Sequence, residues 1–272
     1  MYKAVFIDID GTLIKTDHSL SPATIDTIKK LKENNILVVL VSARPLHGML
    51  SIIEQVGLEH FPAASLNGAC ITIEGKTIFD SRIDTGTIAR IHENLQQYNA
   101  TPIYYEEMKW FAELKNSYTD NEQKITTVPI IIEPFNDTLQ IWQNRNAGPN
   151  KILVISDALV INEIQNNLKP LFIDQLNIYT SKPTYLEVMN IEASKLSALK
   201  FLIGQYNIDQ ENTIAIGDNF NDKEMISFAG MGIAMGNAPD EVKSAADYIT
   251  DTNNNDGVAK ALTRFMDLLS IS

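Results

Sequence analysis

Residues 5–12 read VFIDIDGT, an apolar run followed at once by two aspartates, a glycine and a threonine. The apolar run is typical of a strand buried in a parallel sheet, and ligands of such sheets collect at the carboxyl ends of the strands. Because residues i and i+2 project from the same side of an extended chain, Asp8 and Asp10 are predicted to lie close enough to bind a hard cation. Taken alone, the stretch also fits a strand that ends in an aspartate-rich turn.

Two more apolar runs end in polar residues. Residues 36–41 read ILVVLV and lead into Ser42, and residues 213–216 read TIAI and lead into GDNFND at 217–222. Parallel strands deliver their carboxyl ends to one edge of a sheet. The three runs therefore predict a single polar crevice that contains acids, a hydroxyl and amides.

Helical patterns alternate with these strands, which indicates an α/β sheet. Between residues 81 and 185 the pattern changes to strand-like runs interleaved with helical segments, typical of an α+β insertion. Strand-like sequence at residues 186–188 and the alternation after it place the second domain inside the first. The predicted domains are the first part of a core at 1–80, an inserted α+β domain at 81–186, and the second part of the core at 187–272.

Composition narrows the classes of partner. The 272 residues carry a net charge of −12, which disfavours nucleic acid and anionic lipid as partners. No apolar run reaches the roughly 18 residues of a membrane span, and the N-terminus does not resemble a signal peptide, so we expect a cytoplasmic protein. Histidine spacing does not suggest a zinc site, and the single cysteine, Cys70, lies in an apolar setting. The oligomeric state stays open.

The motifs together resemble those of the haloacid dehalogenase superfamily. Residues 8–12 fit its first motif, Ser42 its second, Lys195 its third and residues 217–222 its fourth. Further stretches are similar to the Cof-type branch of sugar-phosphate phosphatases: NGA at 67–69, LEV at 186–188, MGNA at 235–238 and DGVA at 256–259. Two departures are Ser42-Ala43-Arg44, where the branch commonly has Thr-Gly-Arg, and Leu196, where glycine usually follows the lysine.

The resemblance implies a Rossmann-like parallel sheet core with an inserted α+β cap that closes over the active site. It also implies a magnesium-dependent phosphatase that hydrolyses small phosphate monoesters, sugar phosphates in particular, through a phospho-aspartyl intermediate. The implied roles are a nucleophile, Asp8; a general acid and base, Asp10; phosphate-binding residues, Ser42, Lys195, Asn67 and Asn221; a residue that orients the lysine, Asp222; and Mg²⁺ ligands, Asp8, the backbone carbonyl of Asp10, and Asp218.

Several alternatives stay open at this point. A phosphomutase on sugar phosphates would carry similar motifs, and a noncatalytic phosphate-binding regulatory module is a candidate from a different class. Arg44 is predicted either to cap a helix or to pair with an acid. The aromatic residues of the insertion fit either a sugar-binding surface or the hydrophobic core of the cap; they are Tyr104, Tyr105, Trp110 and Phe111.

Overall fold

A computed structural model describes residues 1–126 and 129–265 of the chain. These residues divide into two compact units. We call the first the core unit; it comprises Met1–Arg44, Met49–Ile78 and the described chain from Ser194 onward. The second, the insert unit, comprises Pro45–Gly48 and Phe79–Ala193. Residues 127–128 of the predicted cap and 266–272 of the predicted core lie outside the described residues.

The strands, in chain order, are β1 Ala4–Asp8, β2 Leu37–Val41, β3 Ala63–Ser65, β4 Cys70–Ile73, β5 Lys76–Asp80, β6 Thr101–Glu106, β7 Lys109–Ala112, β8 Ile131–Ile132, β9 Lys151–Ile155, β10 Leu176–Lys182, β11 Tyr185–Asn190, β12 Thr213–Gly217, β13 Met231–Ala234 and β14 Tyr248–Ile249.

The helices are α1 Pro22–Glu33, α2 His47–Gln55, α3 Thr85–Leu95, α4 Ser117–Thr126, α5 Phe135–Arg145, α6 Ala158–Leu171, α7 Lys195–Tyr206, α8 Lys223–Phe228, α9 Asp240–Lys243 and α10 Gly257–Arg264. Within the described ranges, none of these helices combines the length and the apolar character needed to cross a bilayer.

The sheet of the core unit has the strand order β14-β13-β12-β1-β2-β3-β4-β5. From β14 to β3 the neighbouring strands run parallel, and β4 pairs antiparallel with β3. All five residues of β1 are buried, as expected for a strand flanked on both sides within such a sheet. The predicted α/β class is confirmed. Asp8, Ser42 and Asp218 each stand at or directly after the carboxyl end of a parallel strand.

Local sequence explains where the helices of the core unit begin. Ser21 accepts a hydrogen bond from the backbone N–H of Thr24, and Pro22 occupies the first turn of α1. Thr24, Ile28 and Leu31 then recur on the buried side of the helix. Ser194 caps α7 in the same way, because its hydroxyl accepts from the backbone N–H of Ser197 at 3.0 Å.

The insert unit has its own sheet, in the order β10-β11-β9-β6-β7-β8. Its strands pair antiparallel except for β7 and β8, which run parallel. Residues of α3, α5 and α6 form a hydrophobic core with one face of this sheet, centred on the fully buried Trp142. Tyr104 belongs to this core, and Trp110 is also buried, which fits the structural alternative for those aromatic residues.

The strand predicted at 186–188 belongs to the sheet of the insert unit, and not to the core sheet as the sequence predicts. The sequence placed the return to the core at residue 187, whereas β11 pairs with β9 and β10 in the insert sheet. The physical reason is that Leu186 and Val188 are buried in the insert's hydrophobic core. A short apolar run has the same composition whichever sheet buries it, so its pattern alone could not assign the strand to a sheet.

Candidate active site

A buried lysine joins two aspartates at the carboxyl edge of the core sheet. Lys195 Nζ donates to Asp8 Oδ1 and to Asp222 Oδ1, each at 2.5 Å. The side chain of Lys195 is 1% exposed, that of Asp8 6% and that of Asp222 0%. The chain thus brings together charged groups that are 187 residues apart in sequence. These are three of the residues predicted for the site.

Lys195 is the first residue of α7, where a positive charge is unfavourable because the helix N-terminus carries a partial positive charge itself. The two aspartates offset that cost by accepting its charge-assisted hydrogen bonds. Leu196, in the place where the family usually has glycine, leaves this arrangement intact. The position of Lys195 therefore serves the site and not the stability of the helix.

Asp222 anchors both the lysine and the loop that precedes it. Its Oδ2 accepts from the backbone N–H groups of Asp218 and Asn219, each at 3.0 Å, while its Oδ1 accepts from Lys195. A fully buried carboxylate needs such partners to remain stable in the protein interior. These contacts fit the predicted orienting role of Asp222.

Asp218 lies at the mouth of the same cluster. Its Oδ1 accepts from Thr12 Oγ1 at 3.0 Å, and its Oδ2 accepts from Asn237 Nδ2 at 3.3 Å. Gly11 has a φ of +81°, and a Cβ at this position would overlap the Asp218 carboxylate. Glycine is required here for two reasons: the left-handed backbone and the close approach of the acid.

Burial and mutual repulsion shift the pKa values of the clustered groups. Burial raises the pKa of Asp8 well above its usual value; Lys195 opposes this rise, and Asp222 and Asp218 add to it. Burial and the charge of Asp222 raise the pKa of Asp218 to about 6. Burial alone would lower the pKa of Lys195, yet Asp222 and Asp8 raise it above its usual value. The three carboxylates of the cluster thus carry more negative charge than the single ammonium of Lys195 balances.

A divalent cation fits this deficit. Asp8, Asp218 and Asp222 each present an oxygen, and these oxygens lie within 4.8 Å of one another. Three carboxylates face the ammonium of Lys195, so a hard cation of charge +2 would balance them, and an all-oxygen donor set is the kind that Mg²⁺ prefers. Asp222 is fully buried and its carboxylate already accepts three N–H bonds, whereas Asp218 is only half-buried, so Asp8 and Asp218 are the better ligands.

Asp10 lies in a different environment from Asp8. Its carboxylate accepts two hydrogen bonds from one guanidinium: Arg44 Nε to Oδ2 at 2.7 Å, and Arg44 Nη2 to Oδ1 at 2.6 Å. The side chain of Asp10 is 50% exposed, in contrast to the buried Asp8. Of the two alternatives for Arg44, pairing with an acid is the one observed. The two aspartates of the first motif therefore occupy sites suited to different tasks.

The three uncharged residues predicted to bind phosphate form a connected group. Asn221 Nδ2 donates to Asn67 Oδ1 at 2.9 Å, and the backbone N–H of Asn67 donates to the carbonyl of Ser42 at 2.8 Å. Ser42 Oγ accepts from the backbone N–H of Arg44 at 3.1 Å. Leu66 and Asn67 have φ values of 51° and 54°. Such strained backbone at a buried position is common where a side chain must be held for function.

The sequence does not predict three of the partners at the site. They are Asp10 as the particular acid that pairs with Arg44, and Thr12 and Asn237 as donors to Asp218. All three residues lie in or beside motifs quoted above. A motif shows that a residue is near the site, but the partner of a side chain depends on the rotamer and on loop geometry, which no sequence pattern encodes.

A family profile described as haloacid dehalogenase-like hydrolase matches residues 5–262. The chain therefore belongs to the haloacid dehalogenase superfamily, and its named relatives place it among the phosphatases of that superfamily.

The similarity to individual relatives covers nearly the whole chain. A Haemophilus influenzae protein provisionally named a phosphatase is 36% identical over 264 residues, which cover 96% of this chain and 97% of that protein. A 5-amino-6-(5-phospho-D-ribitylamino)uracil phosphatase of Bacillus subtilis is 31% identical over 264 residues, covering 97% and 96%. A crystal structure from Thermotoga maritima has a TM-score of 0.87 and 29% identity, and covers 97% of each chain.

Proposed function

We propose that this chain is a magnesium-dependent phosphatase that hydrolyses small phosphate monoesters, sugar phosphates in particular, through a phospho-aspartyl intermediate on Asp8. The observation that carries the proposal is the buried Asp8 carboxylate held 2.5 Å from Lys195 Nζ. An ammonium in this place would attract the oxygens of an incoming phosphoryl group and hold the attacking carboxylate in line with it. Phosphoryl transfer depends mainly on such positioning and charge stabilisation.

In the first chemical step, an oxygen of Asp8 would form a bond to phosphorus while the bond from phosphorus to the ester oxygen breaks. Asp10 would give a proton to the departing oxygen; for this its carboxyl group must be protonated in the substrate complex, with one oxygen released from the Arg44 fork. In the second step, Asp10 would take a proton from a water molecule as the water oxygen bonds to phosphorus and the Asp8–phosphorus bond breaks. Inorganic phosphate leaves, and both aspartates return to their starting states.

The remaining residues would bind and orient the phosphoryl group. Lys195 would contact its oxygens, and Asp222 would keep the lysine in place. Ser42, Asn67 and Asn221 would donate hydrogen bonds from a hydroxyl and two amides, since each amide nitrogen carries two N–H groups. The buried positions of Ser42 and Asn67 support this role, because a rigid donor stabilises charge without reorganising.

Asp8, Asp218 and the backbone carbonyl of Asp10 would hold Mg²⁺. The bound ion supplies positive charge that lets an anionic carboxylate approach an anionic phosphoryl group. Burial, and after it the charge of neighbouring carboxylates, raises the pKa values of Asp8 and Asp218, and a bound cation would stabilise the ionised form of both acids. The donor atoms are all oxygen, as a magnesium site requires.

Substrate class is inferred from the relatives and the resemblance. The Bacillus subtilis relative carries the name of an enzyme for a phosphorylated ribitylamino uracil, whose phosphate sits on a sugar-alcohol chain. We therefore include this compound with hexose and pentose phosphates in the proposed range. We also propose that residues 79–193 of the insert unit form the family's cap domain, so that the chain returns to the core after β11 and not at residue 187.

The test is a phosphate-release screen over hexose, pentose, nucleotide and sugar-alcohol phosphates with MgCl₂, run with the variant Asp8→Asn. We expect release from one of these classes, and its loss on adding a chelator and in Asp8→Asn, because the carboxamide is not a nucleophile for phosphorus. Asp26→Asn is the matched control, since Asp26 is an exposed residue of α1. Asp26→Asn should keep the wild-type rate.

Two results would argue against the proposal. Unchanged turnover in Asp8→Asn would remove Asp8 as the nucleophile. Conversion of a hexose phosphate to an isomer without phosphate release would instead identify a phosphomutase.

A further inference from the structure

The segment MGNA at residues 235–238 has no role in the proposed reaction, yet it follows β13 at the carboxyl edge of the core sheet. β13 pairs parallel with β12, and Ala234 lies opposite Gly217. The backbone N–H of Met235 donates to the carbonyl of Gly217 at 3.0 Å. The segment is therefore tied to the loop that carries Asp218.

Asn237 uses both ends of its amide at this place. Its Nδ2 donates to the carbonyl of Gly11 at 2.8 Å and to Asp218 Oδ2 at 3.3 Å. Its Oδ1 accepts from the backbone N–H of Asn253 at 3.0 Å. The residue is exposed, but the three hydrogen bonds fix which end of the amide faces the acid.

A second layer of contacts holds Asn237 itself. The backbone N–H of Gly236 donates to the carbonyl of Asp251 at 3.0 Å, and the side chain of Asn253 donates to the carbonyl of Ile14 at 2.9 Å. Asn253 is 6% exposed, so its contacts are shielded from water. The loop at residues 251–255 thereby holds Asn237, which in turn donates to Asp218.

We propose that Asn237 is a positioning residue that orients the Asp218 carboxylate for the divalent cation. Thr12 donates to one oxygen of Asp218 and Asn237 to the other, so the plane of the carboxylate is set from both sides. Both donors are uncharged. They orient the acid without neutralising it, and its negative charge stays available for a cation, as partners of metal ligands commonly arrange. This inference rests on the proposed function, because it presumes the magnesium site.

The experiment measures ion binding without substrate. Mn²⁺ is titrated into the full chain and the free ion is followed by its electron paramagnetic resonance signal, with Mg²⁺ added in competition. We expect Asn237→Ala to raise the Kd for both ions about 10-fold, at the lower end of the about 10- to 100-fold range for lost partners of metal ligands. A purely structural role would leave the Kd of the folded protein unchanged.

The matched control is Asn212→Ala. Asn212 Nδ2 donates to Asp209 Oδ2 at 3.4 Å, an amide-to-carboxylate contact of the same kind, and Asn212 directly precedes β12, at the end of the strand opposite to Asp218. Asn212→Ala should bind Mn²⁺ like the wild type. Melting curves in chelator verify that both variants are folded, and Asn237→Ser replaces Asn237→Ala if the alanine variant does not fold.

The outcomes separate the two claims. Equal Kd values for wild type and Asn237→Ala, or equal weakening in Asn212→Ala, would overturn the inference and leave the proposed function standing. If the wild type binds neither Mn²⁺ nor Mg²⁺, the magnesium-dependent function fails and the inference fails with it. A selective loss in Asn237→Ala supports both.

Discussion

Arg44 and Asp10 form the most exposed charged contact of the site, and its geometry is a planar fork with N–O distances of 2.7 and 2.6 Å. Two parallel hydrogen bonds fix the plane of a carboxylate as one bond cannot. If Asp10 transfers the proton to the leaving oxygen, Arg44 determines where that carboxylate points. Arg44 then matters most for substrates whose leaving group needs the proton.

We expect Arg44→Met to lower kcat/KM for an alkyl phosphate by about 10- to 100-fold, since positioned proton transfer contributes about 10²- to 10⁴-fold. p-Nitrophenyl phosphate should lose much less, because nitrophenolate departs without a proton. Arg44→Lys should recover part of the loss, since an ammonium supplies the charge without the fork. Steady-state kinetics on both substrates measures the ratio, and an equal loss on the two would contradict this role.

Single residues also mark how far the sequence could predict the site. Asp8 and Asp218 could be placed because each stands at a strand end, where topology sets the position, whereas Lys195 could be placed only by its resemblance to the third motif of the family. The partners of Asp10 and Asp218 could not, because they depend on the side-chain conformations of Arg44 and Asn237. The position of a residue follows from backbone topology, whereas its hydrogen-bond partner follows from packing.

At the scale of elements, α3 of the insert unit contains a histidine built into an aromatic contact. His92 stacks on Phe135 with ring centroids 3.4 Å apart, and its Nδ1 lies 2.9 Å from the hydroxyl of Tyr104. Gln96 Nε2 donates to His92 Nε2 at 2.8 Å, which requires that nitrogen to be unprotonated. Burial lowers the pKa of His92, and the charge of Glu113 partly opposes this shift.

The sign of the resulting pH dependence follows from the lowered pKa. The unfolded chain takes up a proton at His92 near pH 6.5, before the folded protein does, so the free energy of unfolding falls as the pH drops below about 6.5 and levels off below the folded-state pKa. We expect His92→Phe to remove this part of the decline in urea unfolding measured between about pH 7.5 and 5. The exposed His47 gives the control, His47→Gln, which should retain the wild-type decline. Parallel curves for His92→Phe and wild type would contradict the assignment.

The strands of the two sheets also show where the apolar pattern of the sequence is not enough to predict the fold. The parallel strands of the core could be predicted because each is an apolar run that ends in polar residues. The assignment of β11 could not, because two of its buried residues, Leu186 and Val188, face a core made by α3, α5 and α6, which lie elsewhere in the sequence. Deciding which sheet buries a short run requires its pairing partner, here β9 and β10.

Across the whole molecule, the site depends on chain segments that the insert separates in sequence. Thr12 and Asp218 are 206 residues apart, and Asp8 and Lys195 are 187 apart. Thr12 and Asp218 meet because β1 and β12 are neighbours in one parallel sheet, and Lys195 reaches Asp8 from the start of α7. An insertion between residues 79 and 193 leaves those pairings intact, which explains why motifs read along the sequence could predict groups that are adjacent in space.

In the proposed reaction, Asp8 carries the phosphoryl group during turnover. The direct measurement is a rapid acid quench of the enzyme during turnover of its best substrate, followed by peptide mass spectrometry. We expect a phosphoryl adduct on Asp8 that forms within one turnover, is removed by hydroxylamine and is absent from Asp8→Asn. Full turnover with an unmodified Asp8, or an adduct on another residue, would contradict it.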